Sequence, residues 1–223
     1  MLSSAALQLI AIVTMIVDHT AIAFFGGNLF MRTIGRVAFP VFAFMIAEGF
    51  RHTRSVRNYF LRVLLMSVAA TIPAALFLRS VNYMQSLVVT YGFCLALIAM
   101  WAWKRGAWWR LLIVPIVGFS IFAPIDYSAS SVLLPFFFYL ALEKFADKRK
   151  KAPLLVSEAC IIVADIVLLS LTYKNLFSLG MVLAFLPIAL YSGKKGMRLP
   201  AIVSYGLYPL HFLLLYLSRL WLF

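Results

Sequence analysis

The chain has 223 residues, of which 65% are hydrophobic and 12% charged, and its mean hydropathy is +1.00. A water-soluble core of this size cannot hide so much apolar surface, which excludes an ordinary soluble domain and puts the chain in lipid. The net charge of +13, from 20 Lys+Arg against 7 Asp+Glu, is spread in short clusters between apolar runs without any nucleic-acid-binding motif; it reads as a topology signal, and nucleic acid is not an expected partner.

The first apolar run covers residues 5–25. No Lys or Arg precedes it in residues 1–7, so it reads as a retained helix rather than a cleaved secretory signal. A span needs about 20 apolar residues. That length predicts further helices near 33–50, 59–78, 86–103, 110–124, 128–143, 153–172, 176–191 and 199–221. The expected fold is therefore an all-α polytopic transmembrane bundle of about nine helices, with 1–223 forming one membrane domain. The second, fifth and eighth segments are short, so the range is eight to ten if any is re-entrant or merged. Cys94 and Cys160 fall inside apolar runs, where a thiol behaves as a small hydrophobe, and no disulfide framework or metal site is implied.

The basic residues give the layout a direction. Arg51, Arg54, Arg57 and Arg62 follow the second helix, and Lys104, Arg105 and Arg110 follow the fourth. Lys144, Lys148, Arg149, Lys150 and Lys151 follow the sixth, and Lys194, Lys195 and Arg198 follow the eighth. Only Arg32, Arg36, Arg79, Lys174 and Arg219 fall on the other side. The positive-inside rule then places the N-terminus in the cytoplasm. Trp101, Trp103, Trp108 and Trp109 flank one basic loop, as interfacial anchors do.

Charged residues within spans are costly and mark either interior pairs or function. In the first helix stand Asp18 and His19, which project about 100° apart and cannot share a direction. Asp18 is a candidate partner for Arg36; His19 is a candidate for proton transfer or for an interhelical hydrogen bond. The second helix ends in Glu48, Arg51, His52 and Arg54, with Tyr59 and Arg62 following. Four arginines within twelve residues form either a phosphate clamp or plain topology charge. Asp126 and Tyr127 lie in a short loop after Pro124. The last helix carries Tyr208, Pro209 and His211 near its centre. Glu158 and Asp165, seven apart, share a face of the seventh.

Ile16-Val17-Asp18-His19, then Ile34-Gly35-Arg36-Val37-Ala38-Phe39-Pro40-Val41-Phe42-Ala43-Phe44 running to Glu48-Gly49-Phe50, His52-Thr53-Arg54, Tyr59 and Leu61-Arg62 form an ordered set, followed by Asp126-Tyr127 and Tyr208-Pro209-Leu210-His211. This set resembles the TraX family of bacterial membrane proteins. The match is dense over residues 8–75 and sparse but correctly ordered beyond. TraX-like proteins are associated with acetylation of the pilin amino terminus and look distantly similar to transmembrane acyltransferases such as heparan-alpha-glucosaminide N-acetyltransferase. The resemblance implies an enzyme of the bacterial inner membrane that transfers an acetyl or other short acyl group from cytoplasmic acyl-CoA to an acceptor at or beyond the outer face. His19 and Asp18 would be catalytic. Arg36, Glu48, Arg51, His52, Arg54, Tyr59 and Arg62 would serve the donor; Asp126, Tyr127, Tyr208 and His211 the acceptor. In relatives the Asp126 motif tends to be followed by glycine, whereas Ser128, Ala129 and Ser130 follow here. No metal is expected; acyl-CoA, membrane lipids and an acceptor that is a protein N-terminus, glycan or lipid are. Two other classes remain open from the residues: a transporter or flippase for an anionic lipid or metabolite, and a non-enzymatic scaffold of a pilus or secretion assembly.

Overall fold

The first helix begins where Ser3 accepts the Ala6 N–H at 3.3 Å, and α1 runs Ser4–Phe24. It stops at Gly26 and Gly27, whose φ of +58° and +74° lie in the left-handed region that side chains disfavour. Asn28 then caps α2 (Leu29–Gly35) through the Met31 N–H. A break at Arg36 and Val37 separates α2 from α3 (Ala38–His52). Ser55 caps α4 (Val56–Ser80). The chain continues as α5 (Thr90–Arg105), α6 (Ala107–Arg110), α7 (Ile113–Phe122), α8 (Ser130–Phe145) and α9 (Lys151–Tyr173). A 3₁₀ segment (Phe177–Ala184) leads into α10 (Phe185–Ala189), and a π turn (Ile202–Gly206) leads into α11 (Leu207–Leu222).

This computed structural model describes residues 1–83, 86–145, 151–173, 177–197, 199–200 and 202–222. Lys148, Arg149, Lys150, Lys174 and Arg198, used above as topology charges, lie outside the described residues. Within them the helices form nine segments when each closely spaced pair is taken as one. The short second, fifth and eighth segments of the sequence are the α2–α3 pair, the α6–α7 pair and the 3₁₀–α10 pair. Four helical stretches, Ser4–Phe24, Leu29–His52, Val56–Ser80 and Pro153–Leu171, are long and apolar enough to cross a membrane. Large apolar side chains such as Leu65, Ile72, Val114, Phe122 and Leu171 stay exposed along the bundle, as expected of surfaces that meet lipid.

α3 packs chiefly on α8, and α11 on α4; α1 lies against α2, α3 and α11. The core is aromatic at its centre, with Phe44 edge-on to Phe138 at 5.6 Å and Phe50 edge-on to Tyr139 at 5.2 Å. At one end of the bundle Leu2 pairs with Tyr191, and Ser4 donates to the Lys194 carbonyl. At the other Leu87 pairs with Ile125, and Arg219 donates to the Ala23 carbonyl. Pro209 has no N–H to offer the Tyr205 carbonyl, which accounts for the π turn before α11.

Candidate functional site

One face of α1 organises the interior. Ser4, Gln8, Ile12, Met15, His19 and Ile22 recur every three or four residues, so they form one stripe along the helix. The stripe walls two cavities. The larger, about 420 Å³, is lined by Ser4, Gln8, Ile12 and Met15 and by Glu48, His52, Tyr59, Arg62, Lys195 and Tyr205 toward its mouth. The smaller, about 100 Å³, is lined by Met15, His19 and Ile22 with Asp18, Arg32, Arg36, Asp126 and Tyr127. The two share Met15, Phe42 and Tyr208, which form the partition between them.

In the smaller cavity a single carboxylate gathers two guanidinium groups. Arg36 Nη2 lies 3.2 Å from Asp18 Oδ2, and Arg32 Nε lies 3.5 Å from Oδ1, with all three side chains largely buried. Gly35 makes this possible, because a methyl there would overlap the Asp18 side chain. Arg36 Nη1 donates to Tyr127 Oη at 2.7 Å, and the Tyr127 ring stacks on Phe39 at 3.9 Å. Burial raises the Tyr127 phenol above its ordinary value, against the lowering effect of Arg36, so it stays protonated at neutral pH and keeps a donor of its own. Tyr127 and Ser128 have φ of +63° and +45°. Position 128 is therefore a left-handed site, a backbone conformation that glycine adopts without strain. Here the Ser128 hydroxyl donates to the Ser120 carbonyl at 3.2 Å and ties the turn to α7.

His19 points away from Asp18, as consecutive helix residues must, and no hydrogen bond joins the two side chains. Its ring packs against Phe212 at 4.8 Å and edge-on to Phe77 at 6.0 Å, and its Nδ1 lies 3.0 Å from His211 Nε2. His211 is 4% exposed and lines neither cavity; it stands behind His19. Tyr208, three residues earlier, reaches the partition instead.

At the larger mouth Glu48 accepts from Arg51 at 3.1 Å and from Tyr191 at 3.3 Å, and pairs with His52 at 3.2 Å. Arg51 thus braces the mouth without lining it. Arg54 is exposed beyond it, and Arg62 lies over the Tyr59 ring at 5.6 Å. Of the residues expected to serve a donor, Glu48, His52, Tyr59 and Arg62 line this cavity, while Arg36 sits in the other one. Glu158 and Asp165 are buried on α9 and line neither.

Several lining residues were not singled out in the sequence. In the sequence Lys195 and Arg32 read only as loop charge. Gln8 carries no charge to mark it, yet it stands eleven residues, three helical turns, before His19 and so on its face; its Nε2 donates to the Ser204 carbonyl at 3.1 Å. Among the described residues no group of three or more His, Cys, Asp or Glu side chains is arranged to hold a metal ion.

A helical membrane bundle with a buried ion-pair cluster beside a cavity-facing histidine is the class this geometry defines. The chain matches the family model described as TraX protein over residues 3–219 and belongs to that family. It is also 28% identical to the probable fimbrial assembly protein FimC, serogroup H1, of Dichelobacter nodosus, an alignment covering 97% of this chain and 95% of that protein. No solved structure gives a significant match.

Proposed function

We propose that the protein is a membrane acyltransferase in which an acyl-CoA donor enters the larger cavity and an amine or hydroxyl acceptor enters the smaller one, the two meeting at His19. The supporting observation is the single α1 stripe that walls both cavities and places His19 just past their partition. At 420 Å³ the larger cavity is of ligand-binding size, and its apolar wall suits an acyl-pantetheine arm. Arg62, His52 and Lys195 at its mouth offer donors for phosphates, which guanidinium and ammonium groups hold by charge-assisted hydrogen bonds. On this reading the mouth faces the cytoplasm of a bacterial inner membrane, in accord with the excess of basic residues at that end.

His19 takes the acceptor proton as the acceptor nitrogen or oxygen bonds to the thioester carbonyl carbon. The tetrahedral adduct collapses, the C–S bond breaks, and the thiolate recovers the proton from His19 as free CoA leaves. Tyr208, which lines both cavities, and Arg36, which lines the smaller one, are the donors we assign to the oxyanion. The acyl group on this reading is acetyl or another short chain. The relative's name, a fimbrial assembly protein, makes a pilin N-terminal amine a natural candidate acceptor.

The test is acetyl-CoA turnover by purified protein in detergent, with membrane extract as pooled acceptor, comparing wild type with His19→Ala. Free CoA and a labelled acceptor should form with wild type and fall at least about a hundredfold in the folded variant. No turnover by folded wild type with any acceptor fraction removes the enzymatic reading.

A further inference from the structure

The pair formed by His19 and His211 has a direction. His211 Nδ1 lies 3.2 Å from the Leu207 carbonyl oxygen, one turn back on α11. A carbonyl only accepts, so Nδ1 carries the proton. Neutral His211 then has only a lone pair on Nε2, and the atom 3.0 Å away, His19 Nδ1, must donate to it. With both rings neutral the hydrogen bonds run in one direction, and among the described residues no carboxylate bonds to either ring: Asp18 is turned to Arg32 and Arg36. With its Nδ1 protonated, His19 keeps a free lone pair on Nε2.

Resting on the acyl-transfer reading, we infer that His211 is a positioning residue that holds His19 in its Nδ1–H tautomer and leaves Nε2 as the proton acceptor. Burial supports the division of labour, since His19 lines a cavity and His211 stands behind it. The arrangement is that of a base oriented by a third group, with an imidazole and a backbone carbonyl in place of a carboxylate. The chain of hydrogen bonds ends on the Leu207 carbonyl, which cannot pass a proton onward. The proton that Nε2 takes from the acceptor therefore stays on His19 until the departing thiolate reclaims it, and the reaction moves no proton across the bundle.

The tautomer is measurable without turnover. In the full chain labelled with ¹⁵N-histidine in micelles, long-range proton–nitrogen correlation reads both nitrogens of each ring; His52→Gln removes the third histidine's signals. Both His19 and His211 should show a protonated Nδ1 and a bare Nε2. A protonated Nε2 on His19 overturns the inference. In His211→Phe the His19 ring should become a tautomer mixture and kcat should fall about a hundredfold, with KM for acetyl-CoA changed less than about twofold. His211→Gln, whose amide can accept from His19 and donate to Leu207, should restore the tautomer and most of kcat. An unchanged His19 spectrum in His211→Phe also overturns it. Absence of turnover in wild type would instead count against the acyl-transfer reading, with the nitrogen signals still deciding the pairing.

Discussion

The two cavities that share a partition are built by opposite means. The smaller is stiff: Asp18, Arg32, Arg36 and Tyr127 interlock, Tyr127 is stacked on Phe39, and Gly35 lets α2 touch α1. The larger has an apolar wall and a polar mouth, where Glu48 is engaged several times and Arg62 stays exposed. Preorganised charge suits the place where a reaction is steadied, because buried dipoles and ions act there without reorganising. An open, partly solvated basic rim suits capture of a phosphate-bearing ligand, where affinity matters more than exact placement.

The sharpest way to break this contrast is Asp18→Leu. It strips Arg36 of its carboxylate, and breaking a buried pair from one side costs about 3–5 kcal/mol. Thermal unfolding in detergent should show a large loss of stability. Gly35→Ala attacks the same corner through sterics, at about 1–3 kcal/mol, because the added methyl forces α1 and α2 apart. Its unfolding temperature should fall less than that of Asp18→Leu. Arg62→Ala acts on the other cavity. Stability should change by less than about 0.5 kcal/mol at this exposed site, while KM for acetyl-CoA rises about tenfold through loss of a charge-assisted contact. The smallest effect belongs to position 128. Ser128→Gly relieves a left-handed backbone but loses the bond to Ser120, so its stability should stay within about 1 kcal/mol of wild type. Ser128→Ala loses the bond without relief and should be the less stable of the two.

Much of this was legible in the sequence. A span must be about 20 apolar residues long, so the nine expected helices lie within a few residues of the observed helical segments, the last of which opens with the π turn at Ile202. The pairing of Asp18 with Arg36 was visible as two charges entering neighbouring helices from one side. Hydropathy is blind to the break at Arg36 and Val37, and to the π turn that sets the rotation of α11. That rotation decides which of Tyr208 and His211 faces a cavity, and three-residue spacing alone put both on one face. The contact between His19 and His211 joins residues 192 positions apart, which no local pattern carries. Lys195 and Gln8 were hidden for another reason: a loop lysine and a lone amide each have an ordinary explanation until a cavity gives them a shared one.

The most direct test of the central claim, that donor binding and chemistry are divided between two cavities, is calorimetric titration of CoA into wild type, Arg62→Ala with Lys195→Ala, and His19→Ala. The account predicts saturable binding by wild type, at least about tenfold weaker binding when the mouth is stripped, and wild-type affinity when only His19 is removed. Equal affinity in wild type and the stripped mouth, or loss of binding on removing His19 from a folded protein, would contradict it.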